Sequence, residues 1–242
     1  MSNIARYIDH TILKPTTTHI EINRICKDAM EHGFAAVCVP PPLVGLAKAT
    51  LVGGETVVAS RTAASGTRDA GDGPKVATVI GFPFGYSATG AKLAEVEQAL
   101  SDRADELDVV INLVDLKNGD WTRLEKEMRL LTGRIHAGGK IVKVIIESGI
   151  LSDEEIITCC ELYGRVGVDF LKTSTGYAEK GATIEAVRLM REHLPPTIRI
   201  KASGGIRTYA FAQQLIDAGA DRLGCSASVE IVKGETVTPG GY

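Results

Sequence analysis

The sequence predicts an α/β protein built as a single (β/α)8 barrel of the TIM type, and three observations carry that prediction. Eight short runs rich in β-branched residues recur along the 242 residues, at 7–11, 35–39, 75–81, 106–112, 141–147, 168–174, 198–203 and 222–226. Between them, stretches at 20–32, 88–101, 121–136, 153–163, 184–193 and 209–218 place apolar residues three and four apart, the spacing of an amphipathic helix. The runs begin 24 to 40 residues apart, room for one strand and one helix each and too wide for a sandwich. An open doubly wound sheet is the alternative architecture.

Each run has its own reading. In the first, alternation sends Asp9 and Thr11 to one face and Ile8 and His10 to the other, so His10 is expected to pack outside the barrel. The second carries Cys38, read as an apolar filler that could border a pocket. The long gap before the third holds Gly53, Gly54, Gly66, Gly71 and Gly73, and 53–74 reads as an insertion loop at the amino-terminal face. The fourth holds Asp108, the fifth Lys143, the sixth Lys172 just after Phe170-Leu171, and the seventh Lys201. The eighth ends in Gly224-Cys225-Ser226 and opens a final helical stretch, followed by a tail at 233–242 that is expected to be mobile. No repeat or linker divides the chain, so 1–242 reads as one barrel domain.

Composition narrows the function classes. With 27 Lys and Arg against 30 Asp and Glu, and no block of five like charges, nothing is built to grip a phosphate backbone or an anionic membrane, so neither nucleic acid nor membrane is an expected partner. The first six residues lack an apolar leader, and the apolar stretch 33–47 is broken by Pro40-Pro41-Pro42, which suggests a cytoplasmic protein. Five cysteines without a C-x-x-C pair and five histidines without ligand spacing support neither a disulfide framework nor a metal site.

Charged residues inside strands buried on both faces need a partner or a purpose. Lys172 and Lys201 end the apolar parts of consecutive runs, so both ammonium groups are expected near the carboxyl-terminal mouth. Two ammonium groups about 4 Å apart at an effective dielectric near 20 repel by roughly 4 kcal/mol, enough to lower one pKa by about three. A neutral lysine is a nucleophile toward aldehydes and ketones, and its iminium stabilises the carbanion of carbon–carbon bond chemistry. Asp108 could orient Lys201 or shuttle protons, or only neutralise a buried lysine. Asp9, Thr11 and Lys143 would add a polar pocket. Ser203-Gly204-Gly205-Ile206-Arg207 and Gly224-Cys225-Ser226 follow the last two runs, where barrels commonly hold phosphate.

The motifs Ile8-Asp9-His10-Thr11-Ile12-Leu13-Lys14-Pro15, Gly81-Phe82-Pro83, Lys143-Val144-Ile145-Ile146-Glu147, Phe170-Leu171-Lys172-Thr173-Ser174-Thr175-Gly176 and Lys201-Ala202-Ser203-Gly204-Gly205-Ile206-Arg207 resemble deoxyribose-phosphate aldolase across nearly the whole chain. The resemblance implies a class I aldolase of deoxyribonucleotide catabolism, which needs no cofactor or metal. It would reversibly cleave 2-deoxy-D-ribose 5-phosphate to D-glyceraldehyde 3-phosphate and acetaldehyde, with the C3–C4 bond breaking to leave an acetaldehyde enamine. By position, Lys172 resembles the Schiff-base lysine, Lys201 the lysine that perturbs it, and Asp108 the proton-relay partner. Gly176, Gly204, Gly205, Gly224 and Ser226 would bind phosphate, while Thr11, Lys143 and Thr175 would contact sugar hydroxyls or water. Pro40 and Gly149 depart from the family pattern, which bears on acceptor preference. Tyr242 would fold over the mouth as a proton relay. A different Schiff-base aldolase or transaldolase, and a sugar-phosphate-binding barrel without turnover, are the alternatives. A homodimer is expected from the frequency of symmetric pairs.

Overall fold

The computed structural model describes residues 4–62 and 73–234. Eight strands, β1 (Ile8–Thr11), β2 (Ala36–Val39), β3 (Lys75–Ile80), β4 (Glu106–Val110), β5 (Ile141–Ile145), β6 (Phe170–Lys172), β7 (Arg199–Ser203) and β8 (Arg222–Cys225), close into one barrel. Each pairs in parallel with the next, and β8 returns to β1 through the register Asp9↔Gly224. The connections carry α1 (His19–His32), α2 (Val44–Thr62), α3 (Thr89–Ser101), α4 (Leu113–Lys117), α5 (Trp121–Ala137), α6 (Asp153–Val166), α7 (Ile184–His193), α8 (Tyr209–Asp217) and α9 (Ser228–Lys233).

Local chemistry sets where the helices start and stop. The Thr18 side chain accepts from the Glu21 backbone N–H while Glu21 reaches back to Thr18, and Ser152 and Glu155 repeat this capping box at α6. Both helices end on glycines in the left-handed region, Gly33 at φ 69° and Gly167 at φ 79°, which turn the chain directly into the next strand.

Strand alternation then separates two cores. Outward residues such as Val37, Leu107, Val144, Leu171, Ile200 and Leu223 join the helices' apolar faces in one large buried cluster. Inside the barrel, Leu13, Cys38, Ala77 and Val79 form a second, small apolar cluster with Phe82 against it. That cluster occupies the β2–β3 side. Most of the charged groups of the interior lie on the remaining side, with Phe170 buried among them.

Several expectations change, and the sixth run, expected at 168–174, forms a strand only over Phe170–Lys172. Residues 53–62 belong to α2 and not to a loop. Two glycines in a helix cost about 1 kcal/mol each relative to alanine, a penalty that packing of α2 on α1, β2 and β3 overrides. The fourth strand stops at Val110 because the Asn112 side chain accepts from the Val114 and Asp115 N–H groups and starts α4. The fifth stops at Ile145, since Glu147 adopts a left-handed conformation at φ 56°. Residues 63–72 of the expected insertion and 235–242 of the expected tail, with Tyr242, lie outside the described residues, while 73–74 lead into β3 and Lys233 closes α9 instead of beginning a tail. Among the described residues, no helix is long and apolar enough to cross a membrane.

Candidate active site

Asp108 stands at the centre of the ionic interior. Its Oδ2 accepts from Lys172 Nζ at 2.9 Å and from Lys201 Nζ at 2.8 Å, and its Oδ1 accepts from Lys143 Nζ at 2.7 Å. Register explains the convergence: Asp108 pairs with Lys143 across β4–β5, and Lys172 with Lys201 across β6–β7. Lys201 also donates to Asp9. Asp9 is held further by Arg222 at 2.6 Å, and Lys143 by Glu106 at 2.6 Å. Four cations thus meet three carboxylates. If every group were charged, one cation would be surplus.

The geometry says which one. Among the described residues Lys172 contacts a single carboxylate, shared with Lys201, whereas Lys201, Lys143 and Arg222 each contact two within 3.5 Å. Lys172 is also the last residue of β6, and its side chain alone of the three lysines has any exposure, 3% against 0% and 0%. Burial pushes the Lys172 amine below its ordinary value, against the pull of Asp108, with Lys201 adding to the fall. Burial also acts on Lys201 and Lys143, but Asp108 with Asp9, and Asp108 with Glu106, outweigh it and hold both amines above the usual lysine value. Burial would raise Asp9 and Asp108, yet the surrounding cations keep both low: Lys201, Arg222 and Lys143 around Asp9, and Lys143, Lys172 and Lys201 around Asp108.

Repulsion between the two lysines, the cause expected from their spacing, is therefore not the main cause of the Lys172 shift. Both ammonium groups are bonded to one carboxylate oxygen, and desolvation comes first. Asp9, expected in the substrate pocket, and Lys143, expected against sugar hydroxyls or water, are fully buried and paired within the ion cluster. Glu106 and Arg222 are members that the sequence reading passed over, although Glu106 lies two residues before Asp108 and so shares its face.

The remaining expected residues gather at the carboxyl-terminal ends of the strands. Thr11 is half-buried, with its hydroxyl donating to the Asp9 carbonyl at 2.9 Å. Thr175 follows β6. Its hydroxyl donates to Glu147 and accepts from Tyr177 N–H at 3.1 Å, so it is already engaged. Gly204 packs backbone on backbone: an added Cβ would lie 3.0 Å from Gly181 Cα and 3.5 Å from Gly176 Cα. Gly205 and Ser226 are exposed, and Arg207 is half-buried on the same loop as Gly205. Gly224 has a different neighbourhood, since a Cβ there would meet Ser203 at 2.8 Å and Lys201 Cε at 3.3 Å, so its missing side chain makes room for Lys201. Cys38 lies inside the barrel, where burial pushes its thiol up to about 11. His10 packs on the outer face against Phe34, with Nδ1 2.9 Å from Ser228 Oγ.

A closed parallel barrel with a buried lysine and carboxylate network reaching its carboxyl-terminal end defines an enzyme of the aldolase class. The chain belongs to the DeoC/LacD family of aldolases, whose model matches residues 3–228. It is 46% identical over 232 residues to the deoxyribose-phosphate aldolase of Thermococcus gammatolerans, covering 96% of each chain. Among solved structures it resembles the aldolase QR15, with a TM-score of 0.83, 36% identity and 96% of each chain covered. It also resembles the deoxyribose phosphate aldolase of Aeropyrum pernix, described as tetrameric, with a TM-score of 0.79 and 28% identity over 95% of this chain and 89% of that one.

Proposed function

We propose that the protein reversibly cleaves 2-deoxy-D-ribose 5-phosphate to D-glyceraldehyde 3-phosphate and acetaldehyde through a Schiff base on Lys172. The observation that carries this reading is the surplus cation: of four cations around three carboxylates, Lys172 is the least partnered, the only lysine of the cluster with exposure, and lowered in pKa. Full-length similarity to enzymes named deoxyribose-phosphate aldolase supplies the substrate class.

In this mechanism the neutral Lys172 amine adds to the open-chain C1 aldehyde, and loss of water gives an iminium cation. Asp108, 2.9 Å from Nζ, stabilises that cation, and the fixed charge of Lys201 favours drawing electrons toward it. Deprotonation of the C3 hydroxyl then breaks the C2–C3 bond. A two-carbon enamine and a three-carbon aldehyde divide the five-carbon sugar there, which corrects the C3–C4 bond given above. Protonation of the enamine at C2 and hydrolysis release acetaldehyde and the free lysine. Asp108 and Lys201 both hold their charge, so in this reading the C3 hydroxyl proton goes to a water that Asp108 orients, and water returns a proton to C2 of the enamine. Gly176, Gly204, Gly205 and Ser226 would seat the phosphate at the same end, with Thr11 and Thr175 nearer the sugar.

Borohydride reduction in the presence of acetaldehyde, followed by peptide mass mapping, is expected to place an ethyl group on Lys172. Lys172→Ala is expected to lose at least about a thousandfold in turnover, because it removes the nucleophile. An adduct on another lysine, or undiminished turnover, overturns the assignment, and product analysis with other sugar phosphates tests the substrate.

A further inference from the structure

The ion cluster does not stop at the groups nearest Lys172. Glu106 begins β4 and Arg222 begins β8, so both belong to the amino-terminal half of the barrel. Glu106 Oε2 contacts Lys143 at 2.6 Å, and Arg222 contacts Asp9 at 2.6 Å and Glu106 at 3.3 Å. Between these two and Lys172, the links are Lys143 to Asp108 on one side and Asp9 to Lys201 to Asp108 on the other. Both residues also line a cavity of about 680 Å³ at the amino-terminal mouth, together with strand-start residues Lys75 and Ile141. Substrate enters such barrels from the other face. Phe170, two residues before Lys172 on the same strand face, lies beneath the guanidiniums of Arg199 and Arg222, at 4.0 and 5.6 Å, and adds an apolar layer on that side.

We propose that Glu106 and Arg222 are positioning residues that set the charge of Lys172 from the opposite end of the barrel, acting through Lys143, Asp9, Lys201 and Asp108. The charge count gives each a sign. Removing Glu106 leaves the interior one negative charge short, so Lys143 draws harder on Asp108 and the proton on Lys172 is held less firmly. Removing Arg222 takes away a positive charge, so Asp9 is freer to share its charge with Lys201, and Lys172 holds its proton more firmly. The other groups facing Lys172 are Cys38 from β2 and Glu147 beyond β5, and neither variant touches them.

This inference rests on the Schiff-base reading of Lys172, and its test separates the two. The initial rate of acetaldehyde trapping on Lys172 by borohydride is measured against pH for the unaltered chain, Glu106→Gln, Arg222→Gln, the double variant and Glu106→Asp. In Glu106→Gln the rise of trapping with pH is expected to move down by about one pH unit, and in Arg222→Gln up by about one, the size expected for a unit charge two ion pairs away at an effective dielectric near 20. The double variant is expected to return to the original profile, and Glu106→Asp, which keeps the charge, to stay on it. A purely structural role would lower the rate at every pH without moving the profile in opposite directions. Profiles that do not move, or that move the same way, overturn the inference while leaving trapping at Lys172 intact. Absence of an adduct on Lys172 in the unaltered chain overturns the underlying reading instead. Should Glu106→Gln fail to fold, the sign found for Arg222→Gln decides alone.

Discussion

Glu147 occupies a backbone position that a glycine would adopt more easily, at φ 56°, and it is 2% exposed. Its Oε2 accepts from the Thr175 N–H at 3.1 Å and from the Thr175 hydroxyl, while Oε1 is a buried oxygen without a partner among the described residues. Burial raises its carboxyl above the usual glutamate value despite the Thr175 bonds and the nearby Lys172. For an acid with a raised folded value the charged form costs stability at neutral pH, and the cost is relieved as pH falls through that value. Glu147→Gln keeps an oxygen for Thr175 and removes the charge, so it is expected to stabilise the fold by about 1 kcal/mol at pH 7, with the gain shrinking as pH falls. Urea unfolding at pH 7 and pH 5 checks this, and a variant that is destabilised at pH 7 counts against it. Nothing in the sequence announces such a residue, because a left-handed glutamate has no compositional mark. Asp108, Lys172 and Lys201 were legible because each is a charge inside an apolar run. Glu106 and Arg222 stand at strand starts, where a charge is ordinarily solvated, and so drew no notice.

Among the elements, the strands and most helices follow from periodicity, because a buried parallel strand and an amphipathic helix each impose their own spacing. In α2 the buried Val44, Ala47 and Leu51 keep helical spacing, but Gly45, Gly53, Gly54 and the preceding prolines mask it. The joint between α3, α5 and the strands beside the site was not legible either. Lys92, fully buried on α3, donates to the Val110 carbonyl at 2.9 Å and to Glu127 of α5 at 2.5 Å, while Thr89 donates to Glu127 at 2.7 Å. Gly81 leaves the space that Lys92 fills, since a Cβ there would sit 2.8 Å from Lys92 Cε. The pair therefore pins two helices to the end of β4, two residues from Asp108. Lys92→Met is expected to cost about 3–5 kcal/mol, because Glu127 keeps its charge in the interior with only the Thr89 hydroxyl. Adding Glu127→Gln is expected to restore most of that loss, and urea midpoints that are equal for the single and double variants would rule out the buried charge as the cause.

For the molecule as a whole, closure of the barrel makes one device of groups far apart in the chain. Asp9 meets Lys201 and Arg222 only because β8 returns to β1, across 192 and 213 residues, and no local pattern could foretell those contacts. The same closure ties stability to pH. Asp9 and Asp108 are held below the ordinary aspartate value by the cations around them. Their contribution is fully present above the unfolded value of about 3.9 and is lost as pH falls below it toward the folded values. With two carboxylates proton-free in the fold and protonated in the unfolded chain, stability is expected to fall by up to about 2.7 kcal/mol per pH unit below pH 4. Urea unfolding from pH 5 to pH 2 measures that slope, and a flat profile would mean that the cluster is not ionised as drawn. In Asp108→Asn the acid slope should weaken, but stability at pH 7 should drop by several kcal/mol, because Lys143, Lys172 and Lys201 then crowd together without their shared carboxylate. The drop at neutral pH and the weaker acid slope are separate readings of one residue. Because Asp108 is bonded to three lysines at once, the drop at pH 7 is expected to exceed that for a buried carboxylate with a single partner.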